Sequence, residues 1–299
     1  MSIQEKLKEN RPNLSQSSIK TYTSVLNSLY KYISKGSDDI NLKLFNNDKI
    51  VMPLIDKMKY PATLLSALFV LTDNDVYHVA MNEQMTLNKE QSESQIKTEK
   101  QKDNMITKTE VESVINSMRN KANLIFKNND KSQKAINILV NYILIILASG
   151  IYMEPRRSLD WSLMKYKKLN DDNEDEVNYY NSKKSEFIFN KYKTSNLYKQ
   201  QVEKVPKQLK SILNKYIKYI DSNNVHGYLL FNIKNKPLNS PEIAMRLNTM
   251  FKKNISTSML RHIYLSEKFK NMPSIKELKD TASSMGHSVS QMLEYIRKD

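Results

Sequence analysis

Apolar residues recur along the first part of this chain at helical spacing. Ile19, Tyr22, Val25, Leu26, Leu29 and Ile33 follow one another at three- and four-residue steps over residues 14–33, with Ser17 or Ser18 placed to cap the helix. Pro53 opens a short helix, a further one spans residues 61–71 with Leu64, Leu65, Leu68 and Phe69, and another spans 76–85. Together these predict an all-helical module over residues 1–88. Residues 89–104 have almost no apolar content and read as a charged linker or as an exposed helix extension. The pattern then resumes. Thr107 with Glu110 is a capping-box signature before Val111, Val114, Ile115 and Met118. Residues 135–153 are nearly continuously apolar. Asn137 and Asn141 interrupt that run and Gly150 ends it before a charged cluster, so a buried helix is expected there and not a membrane span.

Beyond residue 170 the period shortens. Strand-like pieces fall at 178–180, 186–190 and 201–205, with 191–199 between the last two as a hairpin tip. Pro206 begins a helix with Leu209, Ile212, Leu213, Tyr216, Ile217 and Ile220 on one face. Residues 227–231 predict a short buried strand. Ser240-Pro241-Glu242 is a helix start for 241–253, and further helices are expected at 258–269, at 275–285 (stopped by Gly286) and at 290–297. The fold class predicted is mainly α with a small α+β component: a helical domain over 1–88, a linker over 89–104, and a mixed α/β domain over 105–299 with a short antiparallel sheet.

Charge adds a partner to this outline. The formal net charge is +15; residues 1–88 hold 10 Lys+Arg against 9 Asp+Glu, and residues 89–299 hold 37 against 23. Such a surplus implies a polyanion such as double-stranded DNA, bound with steep salt dependence, although lysine-rich usage from an AT-biased genome would also raise the count. There are no cysteines, which excludes disulfides, a thiol nucleophile and thiolate metal sites, and fits a reducing compartment. The start Met1-Ser2-Ile3-Gln4-Glu5-Lys6 has no apolar signal stretch, so an intracellular protein is expected, neither secreted nor in a membrane. No His/Asp/Glu cluster has metal-ligand spacing, and four glycines form no phosphate loop, so neither a metal nor another cofactor is expected.

The candidate chemistry lies in five dispersed residues, in the order Arg157, Lys193, Arg261, His287, Tyr295. Metal-free cleavage of a phosphodiester needs a nucleophile, neutralisation of the non-bridging oxygens, and proton transfer at both ends. Tyrosine can serve as covalent nucleophile, and arginine forks pair bidentately with phosphate while remaining charged. A lysine can protonate a leaving oxygen and a histidine can manage the nucleophile's proton. Singly, each has a plainer reading. Tyr295 is one of 17 tyrosines, His287 could make a polar contact after a helix stop, Arg156-Arg157 could be a solvated charge pair, and Lys193 is one lysine of many. Trp161, the single tryptophan, is expected in the core, and Asp160 is expected to brace an arginine.

The ordered set resembles the tyrosine recombinase/integrase family over most of the chain. Residues 14–33 are similar to the opening helix of its core-binding domain, and Gly150 to Met164, with Pro155-Arg156-Arg157 and Asp160-Trp161, to its first-arginine box in the proline-preceded form seen in viruses and mobile elements. Residues 187–206 are similar to its lysine hairpin, Ser258-Met259-Leu260-Arg261 to its second-arginine box, and Met285-Gly286-His287-Ser288 with Tyr295 to its final box. The resemblance implies Arg157 as first arginine, with Arg156 the alternative; Asp160 stands three residues after Arg157, as the family's carboxylate does. It implies Lys193 as general acid with Lys191 second, then Arg261, His287, and Tyr295 as nucleophile. Ser258 departs from the pattern, standing where the family usually has histidine. The implied activity is cutting and rejoining DNA through a 3′-phosphotyrosine, by a homotetramer on two DNA sites. A type IB topoisomerase and a catalytically silent DNA-binding or synapsis protein are the alternatives.

Overall fold

The computed structural model describes residues 2–34, 41–167, 173, 176–221, 226–285 and 288–295. It is mainly helical, with one small four-stranded sheet. The chain divides into two compact units, Met1–Ile96 with Pro273–Asp299, and Lys97–Met272.

The first unit begins with α1 (Ile3–Asn10), which the periodicity did not show; Ser2 and Glu5 close a capping box at its start. In α2 (Gln16–Ile33) the cap is Ser15, not Ser17 or Ser18: its hydroxyl accepts from the Ser18 amide at 3.1 Å. Short turns follow, including α3 (Asp48–Val51) and a 3-10 segment Met52–Lys57 at Pro53. Then come α4 (Pro61–Thr72) and α5 (Asp75–Glu93). Leu7, Leu26, Leu29, Phe45, Leu64, Leu68 and Tyr77 fill the core, and the Tyr77 hydroxyl donates to the Phe45 carbonyl at 2.7 Å. The helix expected over 76–85 runs on to Glu93, so the extension reading holds for residues 89–93. Lys, Glu and Gln there are strong helix formers that need no apolar stripe. The final helices α14 (Ile275–Ser284) and α15 (Val289–Tyr295) group with this unit. Two contacts support that grouping: the Gln95 Oε1 accepts from the Ile275 amide at 3.1 Å, and Lys279 pairs with Glu93 at 2.6 Å.

In the second unit α6 is Glu99–Asn104, α7 is Lys108–Asn128 and α8 is Gln133–Ala148. The Thr107–Glu110 capping box is present at the head of α7. Leu139, Val140 and every residue from Tyr142 to Ala148 in α8 are buried, which accounts for the apolar run: α8 is the axis of this unit's core. Among the described residues no helix is long and apolar enough to cross a membrane. Gly150 follows with φ 81°, and an added Cβ would stand 2.5 Å from the Tyr264 ring. Only glycine meets both demands.

Next come α9 (Ser158–Ser162), β1 (Met164–Lys165), β2 (Asn178–Asn181), β3 (Glu186–Phe189), α10 (Ser195–Tyr198) and β4 (Gln201–Lys204). The sheet order is β1-β2-β3-β4. The expected antiparallel pairings are β2 with β3 and β3 with β4, but β1 adds parallel to β2, so the sheet is mixed. A buried two-residue strand at the end of the arginine box leaves no periodicity to read. The segment 227–231 is buried as expected but forms only isolated bridges, Lys165 with Tyr228 and Phe231 with Pro237, since β1 is too short to pair at length. Then α11 (Lys207–Ile220), α12 (Ser240–Phe251) and α13 (Thr257–Lys268) complete the unit. At α12 the cap is Asn239, not Ser240, because Asn239 and Glu242 form a reciprocal box.

Candidate active site

A cleft of about 470 Å³ in the second unit is lined by Arg156, Arg157 and Arg261, together with Asp160. Three arginines reach it from two elements, the start of α9 and the first turns of α13. An aromatic cluster anchors the arginine helix α9. Trp161 is fully buried with its ring edge-on to Phe187 and Phe189, at 5.2 and 5.5 Å between centroids.

The two adjacent arginines differ in surroundings. The Arg156 Nε donates to Asp160 Oδ2 at 2.9 Å and its Nη2 to Gln201 Oε1 at 2.8 Å, while the guanidinium lies 3.8 Å from the centre of the Phe189 ring. It ties α9 to β4, with only 16% of its side chain exposed. Arg157 is the N-cap residue of α9. Among the described residues neither its guanidinium nor that of Arg261 makes a hydrogen bond or an ion pair. These two half-buried guanidinium groups are free to bind an anion in the cleft.

Asp160 is 3% exposed, and its Oδ1 has no hydrogen-bond partner among the described residues. Burial raises its ionisation above the usual carboxylate value, opposed by Arg156 first and then by Arg157 and Arg261. The carboxylate expected to serve Arg157 by spacing thus bonds to Arg156 and acts on Arg157 only through its field.

The hairpin is rooted by a residue that the sequence reading passed over. Asn178, fully buried at the start of β2, donates to the carbonyls of Asp160 (2.8 Å) and Lys191 (3.0 Å) and accepts from the amides of Asn190 and Lys191 (both 2.8 Å). All four positions of its amide are filled. It therefore joins the arginine helix to the hairpin root. A buried asparagine in a strand is the signal that could have found it. Tyr192 closes the tip by donating to the Lys199 carbonyl at 2.7 Å.

Lys193 stands exposed in that tip between Tyr192 and Thr194, which line the cleft; the side chains of Lys193 and Lys191 do not. Lys204, at the end of β4, does line it and was not singled out by the sequence. Ser258 is exposed one turn before Arg261 on α13. Tyr295 is the last residue of α15, in the first unit, and His287 lies outside the described residues. Among the described residues no three His, Asp or Glu side chains gather as a metal site.

No family model matches the chain, and no curated protein matches it. Among solved structures, the crystal structure of XerA recombinase aligns over 99% of this chain and 93% of that one, at 13% identity and a TM-score of 0.37. A similarity at that level carries no argument about activity.

Proposed function

We infer that this chain is a DNA strand-exchange enzyme of the tyrosine recombinase type, cutting and rejoining duplex DNA without a metal or a nucleotide cofactor. The observation that carries the reading is the convergence of Arg157 and Arg261, both without partners among the described residues, on one cleft beside the braced Arg156. Two free guanidinium forks can neutralise the non-bridging oxygens of a scissile phosphate, which are charged in the ground state and more so at pentacovalent phosphorus. On this reading Tyr295 attacks phosphorus through its phenolic oxygen, the bond to the 5′ oxygen breaks, and a 3′-phosphotyrosine remains. A lysine protonates the leaving 5′ oxygen. Lys193, with Lys191 second, holds that role by resemblance, and Lys204 is placed at the cleft itself. His287 takes or relays the phenol's proton. The freed 5′-hydroxyl of a second duplex then attacks the phosphotyrosine, so that strands are joined without ATP, within a homotetramer on two sites.

The test is a nicked suicide duplex, from which the short leaving strand diffuses away. The wild-type chain is expected to accumulate a covalent protein–DNA band and Tyr295→Phe none. A band of undiminished intensity in the variant would remove Tyr295 from the mechanism. Adduct formation with supercoil relaxation but no joining of two duplexes would indicate a topoisomerase. Salt-sensitive binding with no adduct in either chain would indicate a silent DNA-binding protein.

A further inference from the structure

A second cationic cleft, of about 640 Å³, opens beside α11 in the same unit. We propose that it seats the phosphate backbone of a stretch of duplex DNA distinct from the one at the arginine cleft. Lys210 and Lys218 reach it from α11, and Lys183 faces them from the β2–β3 turn. None of these three lysines makes an ion pair among the described residues. Among the described residues the one carboxylate lining the cleft is Asp221, which is 3.6 Å from Lys167 and so is already balanced. The cleft offers a neutral donor as well. Asn214 accepts from the Tyr180 hydroxyl at 3.1 Å through its Oδ1, which leaves its amide nitrogen to point away from that bond.

The spacing selects an extended ligand. Eight residues of α11 separate Lys210 from Lys218, about 12 Å along the helix axis, too far for both to meet one phosphate. Lysines are flexible point charges, and among the described residues no arginine fork lines the cleft to fix a single anion's orientation. A duplex carries one charge per about 1.7 Å of axis, so each of the three ammonium groups can meet its own phosphate. The site is also separate from the arginine cleft. Gln201, which lines that cleft, pairs with Phe189, whereas the turn bearing Lys183 joins the opposite ends of β2 and β3. The length of β3, about 13 Å, separates them.

Equilibrium binding of a short blunt duplex, measured against salt on the full chain, tests this. Replacing Lys183, Lys210 and Lys218 together by Gln is expected to lower the salt slope by about 2 to 3 units. Replacing the equally surface-lying Lys121, Lys127 and Lys134 by Gln should lower it by less than about one unit. Because the chain has no cysteine, a chelated iron can be attached at Ser182→Cys alone. It should cut bound DNA locally, whereas the same probe at Lys127→Cys should not. Equal slopes for the two triple variants, or no cutting from position 182, overturns the proposal. Both readouts report where DNA sits and not whether a strand is broken, so they stand or fall separately from the tyrosine adduct.

Discussion

Arg156 holds Asp160, Gln201 and the Phe189 ring, whereas Arg157 faces the cleft with no bond of its own among the described residues. The neighbours should therefore fail differently. Arg156→Ala breaks a buried ion pair and strands a carboxylate, at a cost of about 3 kcal/mol, visible as a lower urea midpoint. Arg157→Ala should leave the midpoint within about 0.5 kcal/mol of the wild type and reduce covalent adduct formation by about 100-fold or more. The reverse outcome would exchange their roles. Sequence spacing could not separate them, since Asp160 is three residues from one and four from the other, and both separations fall on the same side of a helical turn. What decides is Phe189, an aromatic ring brought from another strand. Asp160's orphaned Oδ1 and Asn178's four bonds were hidden for the same reason: each depends on partners supplied by tertiary packing.

At the level of elements, helices with a strong stripe or a cap-plus-proline start were legible, among them α2, α4, α8 and α11. Caps were misplaced by one to three residues where several Ser or Asn side chains competed, as at Ser15 and Asn239. Short elements without period escaped: α1, α6 and β1. The hairpin was visible as a pair of β-rich pieces, but its tip holds a helical turn, α10, and is tied by the Tyr192 hydroxyl to the Lys199 carbonyl. Tyr192→Phe should free the tip without unfolding the unit. A lost hydrogen bond of about 1 kcal/mol would speed amide exchange across residues 193–199 about five-fold, while the exchange of α8 stays unchanged. If α8 exchange rises equally, the hydroxyl supports the whole unit and not the tip.

For the molecule as a whole, the sequence showed that charge is uneven but placed the division at residue 88. By the structural division, residues 97–272 hold 32 Lys+Arg against 17 Asp+Glu, and the remaining residues hold 15 of each. The entire formal surplus of +15 thus belongs to the second unit. A folded 97–272 fragment is expected to keep the salt slope for duplex DNA within about one unit of that of the full chain. A slope that collapses in the fragment would mean that the phosphate contacts come from the electrically balanced unit.

The contact between Gly150 and Tyr264 has a consequence for the spacing of the phosphate grip. Gly150 immediately precedes the segment that carries Arg157, and Tyr264 lies one turn beyond Arg261 on α13. The two jaws of the grip are therefore gauged by the thickness of one aromatic ring laid against bare main chain. A side chain at position 150 would act as a shim, wedging that ring off the main chain while straining the turn that leads to Arg157.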